Sequence, residues 1–119
     1  MATAAQTIRV FGIYLLILGA VLILVPNLLL GLFKLDPVTD VWIRVVGMLA
    51  FLLGVYYNHV ANAKLRSLIR LSVPVRLSVL GFFGAFVLLK LAPPMLMVFA
   101  IVDALAALWT WIALRRGYY

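Results

Sequence analysis

The sequence predicts an all-α polytopic membrane protein built as a bundle of four transmembrane helices. Of its 119 residues, 68% are hydrophobic and 11% are charged, whereas soluble domains contain about 45–50% apolar and about 25% charged residues. A soluble domain of this size buries only about two-thirds of the surface of its unfolded chain, so it cannot hide this much apolar surface from water. Lipid must therefore cover much of the chain, and four apolar segments with short connections account for its length.

Residues 10–33 form the first predicted span, because no charged residue interrupts them. At a rise of about 1.5 Å per residue they extend over about 36 Å, which exceeds the roughly 30 Å of a hydrocarbon core. A secretory signal peptide is the alternative, but its apolar region has only about 7–15 residues and ends at a small-residue cleavage site that this segment lacks. Pro26 is expected to kink or end the helix.

A short polar turn at residues 34–40 separates the first span from the second, which covers residues 41–63. Thr39 or Asp40 is a suitable N-cap for the second helix, because a side-chain oxygen there accepts a hydrogen bond from a free main-chain N–H. Trp42 then lies at the membrane interface, where tryptophan is enriched.

Basic residues mark the connection over residues 64–76, which is expected to form a short interfacial helix or loop ending near Pro74. The third span covers residues 71–91 and overlaps the end of this connection. Two consecutive prolines at 93 and 94 predict a turn, and the fourth span covers residues 94–114.

The net charge of +7 comes from lysines and arginines that flank the apolar segments rather than cover one soluble face. This placement argues against nucleic acid as a partner. The basic residues concentrate in the 64–76 connection and at Arg115 and Arg116, and Arg9 precedes the first span. Because Lys and Arg are enriched in cytoplasmic loops, both termini are expected in the cytoplasm.

The chain contains few side chains that are suited to catalysis or metal binding. The chain has no cysteine, three acidic residues and one histidine, so it cannot supply the three or four clustered ligands of a protein metal site. No glycine-rich phosphate loop occurs. The sequence therefore favours a protein that is not an enzyme acting alone, without catalytic or metal-binding residues, and with a quinone or a lipid as the only cofactors to consider.

Asp103 lies near the middle of the fourth predicted span. Inserting a charged side chain at this depth of the membrane costs about 2.5–3.5 kcal/mol of free energy, so the carboxylate needs a partner in the bundle interior. We expect Arg44 to be that partner, because both residues lie below the outer ends of parallel helices, and Arg76 is the second choice. One interpretation is a structural ion pair or a protonated carboxyl bonded to a neighbouring helix. The other is a proton relay or an anchor for a ligand.

The second predicted helix carries a stripe of small and polar residues whose spacings of three and four place them on one face. The stripe consists of Arg44, Gly47, Phe51, Gly54, Asn58 and Asn62. Gly47 and Gly54 allow another helix to approach closely, so the face is suited to packing. The alternative is a polar pocket walled by Arg44, Asn58, Asn62 and the neighbouring His59 and closed by Asp103.

Small residues elsewhere also predict close helix packing. Gly12 and Gly19 recur at a spacing of seven in the first helix, and Gly81 and Ala85 form a small-xxx-small pair in the third. Such pairs bring membrane helices together, either within one chain or between chains. The expected partners are membrane lipids and either further copies of this chain or a larger membrane complex.

Three short motifs resemble the DoxX-like group of small four-helix bacterial membrane proteins. They are the first helix with Gly19 and Pro26, the Asp40-x-x-x-Arg44-x-x-Gly47 opening of the second helix, and the last helix with Asp103 ahead of the terminal arginines. The resemblance implies a protein of the bacterial inner membrane, sometimes a subunit of a quinone-linked redox system. Because the chain has no cysteine, a direct thiol redox role is not expected.

Three functions follow as hypotheses. The first is a non-catalytic subunit or oligomeric scaffold of a membrane assembly, which the short loops and the lack of reactive side chains favour. The second is a quinone- or lipid-binding accessory of a membrane redox system, in which Arg44, His59 and Asp103 contact the ligand. The third is a small proton-coupled transporter that uses Asp103, the acid expected in the membrane interior.

Overall fold

Five α-helices dominate the structure, a computed structural model that describes residues 3–32, 34, 41–92 and 94–117. They are α1 (Ala4–Leu24), α2 (Pro26–Leu32), α3 (Trp42–Ala63), α4 (Arg66–Leu88) and α5 (Met97–Arg115), and a 3-10 turn (Pro94–Leu96) precedes α5. Helices α1, α3, α4 and α5 are long and apolar enough to cross a membrane. The predicted all-α bundle with four apolar membrane helices is thereby confirmed.

Helix α1 begins at Ala4 rather than at residue 10, because a capping box fixes its start. The Thr3 hydroxyl accepts a hydrogen bond from the main-chain N of Gln6 at 3.2 Å, and Gln6 Oε1 accepts one from the main-chain N of Thr3 at 2.9 Å. These bonds satisfy main-chain donors that the first turn of a helix leaves without partners. Arg9 therefore belongs to the helix instead of preceding it.

Pro26 divides the predicted span of residues 10–33 into two helices. Helix α1 ends at Leu24, and Pro26 is the first residue of α2. A proline suits this position, since the N–H that it lacks would have no partner in the first turn of a helix. Most of the polar turn that follows α2, including its expected N-caps Thr39 and Asp40, lies outside the described residues.

Helix α4 corrects the predicted start of the third span. The separate interfacial connection expected at residues 64–76 is, from Arg66 onwards, part of one continuous helix with Pro74 inside it. The buried side chains of this region recur at spacings of three and four across the proline, as one helical face requires. They are Ile69, Ser72, Val73 and Arg76. Packing of this face outweighs the one main-chain hydrogen bond that the proline removes.

Three lysines follow the ends of helices in the described part of the chain. Lys34 follows α2, Lys64 follows α3 and Lys90 follows α4, and all three have left-handed backbone conformations with φ of 57°, 51° and 61°. The left-handed conformation ends a helix by turning the chain away from its axis. The fourth predicted span, residues 94–114, corresponds to the 3-10 turn Pro94–Leu96 followed by α5, which starts at Met97.

The helices pack as two antiparallel hairpins, α1 with α3 and α4 with α5, which meet chiefly between α1 and α5. Glycines form the contact within the first hairpin. A Cβ added to Gly19 would lie 2.5 Å from the carbonyl oxygen of Gly47, and one added to Gly54 would lie 2.8 Å from that of Gly12. The main chains of α1 and α3 thus touch at the glycines of the predicted stripe.

The predicted small-residue pair of α4, Gly81 and Ala85, has a different environment from the glycines between α1 and α3. A Cβ added to Gly81 or to Gly84 would meet no atom within 4 Å, and Ala85 is exposed. This face of α4 therefore does not pack against another described helix of the same chain, although Phe83 on another face does. It faces lipid or a second protein.

Candidate functional site between the helix hairpins

Arg76 is the largest fully buried side chain among the described residues, with 2% of its surface exposed. Helix α4 directs it into the bundle one turn after Ser72. Its Nη2 donates to Thr110 Oγ1 at 2.8 Å and to Ser72 Oγ at 3.1 Å, and its Nε donates to the carbonyl of Ser72 at 3.3 Å. A guanidinium group inside a membrane protein needs such partners, because they replace the water that it has lost.

A chain of hydroxyl groups continues from Arg76 to helix α1. Thr110 Oγ1 lies 2.7 Å from Thr7 Oγ1, and Thr7 Oγ1 donates to the carbonyl of Ala4 at 2.6 Å. Because Thr7 has a single proton and gives it to Ala4, Thr110 donates the bond between the two hydroxyls. The other acceptor of Thr110, the carbonyl of Ala106, is farther away at 3.2 Å. The bonds therefore run in one direction from Arg76 to the first turn of α1, and they join three helices.

An aromatic cluster covers one side of the guanidinium group. The Cζ atom of Arg76 lies 4.9 Å from the ring centroid of Phe11, a distance at which the negative face of the ring attracts a cation. The Phe11 ring also packs edge-on against Tyr57, with centroids 5.5 Å apart, and at a tilt of 37° against Tyr14, with centroids 5.7 Å apart. Nη1 of Arg76 is a buried atom without a hydrogen-bond partner in the described part of the chain.

Asp103 lies on the same face of α5 as Thr110, about two turns earlier in the helix. It is half-buried, and no hydrogen bond or ion pair joins its carboxylate to another described side chain. Arg44, the expected partner, is exposed, and its Nη1 donates to the carbonyl of Ile23 near the end of α1. Among the described residues, the preferred Asp103–Arg44 pair is therefore not formed, and no hydrogen bond or ion pair joins Asp103 to Arg76, the second choice.

An apolar pocket of about 210 Å³ lies beside Asp103. All five helices contribute to its wall, for example through Leu30 of α2, Val46 of α3 and Phe83 of α4. Among the described residues that line it, only Tyr14 and Asp103 are polar, and every other side chain is leucine, isoleucine, valine or phenylalanine. The pocket thus combines an apolar wall with a hydroxyl and a carboxyl group.

The structure does not bring the other predicted pocket residues to this place. Asn58 is half-buried and donates to the carbonyl of Gly54 in its own helix at 2.8 Å. His59 and Asn62 are exposed, and Asn62 Oδ1 accepts a hydrogen bond from Arg9. All three lie in the last turns of α3, whereas the pocket is lined by residues from the first turns of that helix.

Sequence reasoning overlooked most residues that organise this interior. Thr7 and Tyr14 are seven residues apart on α1, and Asp103 and Thr110 have the same spacing on α5. Such spacings place polar side chains on one helical face at two depths. The repeated spacing was therefore a usable signal, although only the packing of α1 against α5 shows that the two faces meet.

These features define a small multi-pass α-helical membrane protein with an apolar pocket between its two hairpins. No protein-family model matches the chain, and comparison with curated proteins and with solved structures finds no significant match. The described residues contain no group of three or more histidine, cysteine, aspartate or glutamate residues placed to hold a metal ion.

Proposed function

We propose that this chain binds a small apolar molecule that carries a carbonyl or hydroxyl group, in the pocket beside Asp103. The observation that carries the proposal is the composition of the pocket wall, whose described residues are apolar except for Tyr14 and Asp103. Small-molecule sites commonly have this form, with a few polar groups that orient an otherwise apolar ligand. The proposal develops the quinone- or lipid-binding hypothesis rather than that of a pure scaffold.

The chemistry of the two polar groups suits a quinone or quinol head group. A tyrosine hydroxyl donates a hydrogen bond to a quinone carbonyl, and a carboxylate accepts one from a quinol hydroxyl. A volume of about 210 Å³ is smaller than the roughly 300–1,000 Å³ of sites that enclose whole drug-sized ligands. The pocket therefore holds a ring, and an isoprenoid tail extends into the surrounding lipid. The proposed location is the bacterial inner membrane, as the resemblance to DoxX-like proteins implies.

Thermal unfolding of the purified protein in detergent, with and without decylubiquinone, tests this proposal. A ligand at about 100 times its Kd stabilises the folded state by about 2.7 kcal/mol, so the unfolding temperature should rise. Asp103→Leu should abolish this rise, and Tyr14→Phe should reduce it. His59→Leu is the matched control, because it removes a polar side chain outside the pocket and should keep the full rise.

Val46→Trp provides a second test of ligand binding in the pocket, because the larger side chain fills the pocket without removing a polar group. This variant should also lose the rise in unfolding temperature. An equal rise in Asp103→Leu, in Val46→Trp and in the unsubstituted protein would contradict ligand binding in this pocket. Proton flux into liposomes that depends on Asp103 and on a substrate would instead favour the proton-coupled transporter.

The second candidate function is a subunit of a larger membrane assembly, and the open face of α4 favours it. Gly81 and Gly84 have no neighbour within 4 Å of an added Cβ, and Ala85 beside them is exposed. Small residues permit close approach of another helix, from a further copy or from a different protein. Gly81→Leu should then convert the assembly to single chains in native mass spectrometry, whereas Gly31→Leu, which alters another open glycine, should leave it intact.

A further inference from the structure

A groove of about 640 Å³ opens along the α4–α5 hairpin and shares no lining residue with the Asp103 pocket. Six apolar residues line it: Val73, Pro74, Leu77, Leu108, Trp111 and Leu114. The other described residues that line it are the cations Arg70 and Arg115. Pro74 interrupts the main-chain hydrogen bonds of α4 at this point and contributes its ring to the wall.

The two cations lie at one end of the groove. Arg70 is in the second turn of α4 and Arg115 is the last residue of α5, and these two helix ends coincide because the helices are antiparallel. From Arg70 to Leu77 the wall extends about 10 Å along α4, at about 1.5 Å per residue. The groove is therefore cationic at the end of the bundle and apolar towards its middle.

The cationic end is partly fixed in place by its neighbours. Cζ of Arg115 lies 5.0 Å from the ring centroid of Trp111, so the indole holds the guanidinium group over the groove. Trp111 is itself a lining residue, and tryptophan is the side chain enriched at the level of lipid head groups. Arg70 contributes the second guanidinium group from the opposite wall.

We infer that this groove binds an anionic phospholipid, with its phosphate between Arg70 and Arg115 and one acyl chain along Leu77 and Leu108. Guanidinium groups bind phosphate oxygens through paired hydrogen bonds, and basic sites between membrane helices commonly bind acidic lipid head groups. A neighbouring apolar helix would match the wall but would offer no phosphate to the two cations. A zwitterionic lipid would offer no net negative charge to them.

Native mass spectrometry of the detergent-purified protein tests the inference, with dioleoyl-phosphatidylglycerol as the probe and dioleoyl-phosphatidylcholine as the neutral comparison. The double variant R70Q/R115Q should bind phosphatidylglycerol about thirty-fold more weakly. Each basic residue near an anionic lipid raises the binding constant by a factor of about five, and two such residues are removed. The matched control K64Q/R66Q removes the same charge from the turn before the groove and should retain most of the binding.

Leu77→Trp tests the apolar part of the site separately, since it fills the groove and leaves the charge unchanged. It should weaken binding of phosphatidylglycerol without affecting folding, because Leu77 is exposed. Equal binding of the two lipids, or equal loss in R70Q/R115Q and K64Q/R66Q, would overturn the inference. Competition by inorganic phosphate at the lipid's own concentration, or a helix of another chain cross-linked to Leu77, would overturn it as well.

Discussion

The ring of Phe11 lies against the buried guanidinium group of Arg76, with 4.9 Å between the ring centroid and Cζ. The same ring contacts Tyr14, which lines the ligand pocket beside Asp103. Phe11 thus contacts both the buried cation and a residue of the pocket wall.

Phe11→Leu should destabilise the protein by about 0.5–2 kcal/mol, because it keeps an apolar side chain but removes the attraction between the ring and the cation. Chemical unfolding in mixed micelles measures this change. Phe82→Leu is the control, since Phe82 is 63% exposed and has no such role. Equal stability of the two variants would show that the contact between Phe11 and Arg76 contributes nothing.

Thr110→Val should cost more stability than Thr7→Val. Thr110 accepts the hydrogen bond from Arg76, and its loss leaves a buried charged donor without that partner, which costs about 1–3 kcal/mol. After Thr7→Val, Thr110 still accepts from Arg76 and can donate to the carbonyl of Ala106. The free energy of unfolding of Thr7→Val should then fall by about 0.5–1.5 kcal/mol. The free energies of unfolding of the two variants decide the order, and the reverse order would contradict the importance of Thr110 as an acceptor for Arg76.

Gly19→Ala should separate α1 from α3. The added Cβ would lie 2.5 Å from the carbonyl oxygen of Gly47, so the main chains must move apart, and overpacking of this kind costs about 1–3 kcal/mol. Gly84→Ala is the matched control, because its Cβ meets no atom within 4 Å and alanine favours a helix by up to about 1 kcal/mol over glycine. The free energies of unfolding should therefore change in opposite directions, and a stable Gly19→Ala variant would refute the glycine contact.

The sequence was sufficient for the class of fold, because the apolar content and the lengths of the uncharged segments leave lipid as the only suitable solvent. The sequence was insufficient to identify a partner for Asp103, since Arg44 was chosen only from the expected depths of the two residues in the membrane. Arg44 lies in the first turn of α3, where its long side chain extends to the end of α1 instead of the interior. The interior position of Arg76 depends on Thr110 and Phe11, which come from two other helices.

The pocket was mislocated for a related reason. The polar residues Asn58, His59 and Asn62 lie at the end of α3 that meets the start of α1, whereas the alternative interpretation of the stripe placed them in a pocket closed by Asp103. In the structure the residues of α3 that line the pocket are the apolar Ile43 and Val46 at the other end of the helix. A polar stripe shows which face of a helix packs inward. It does not show at which position along that helix the side chains of another helix complete a pocket.

Reporter fusions should place both termini of the chain in the cytoplasm. The contact of 2.7 Å between the hydroxyls of Thr7 and Thr110 brings the start of α1 and the end of α5 to the same end of the bundle. That end also carries Arg66 and Arg115 at the termini of α4 and α5, and cytoplasmic segments are rich in such residues. Alkaline phosphatase fused after residue 119 should be inactive, and a fluorescent protein fused there should be bright. A fusion at the turn around Lys90 should give the opposite pattern, and an active phosphatase at the C-terminus would mean that the chain is inverted or crosses the membrane an odd number of times.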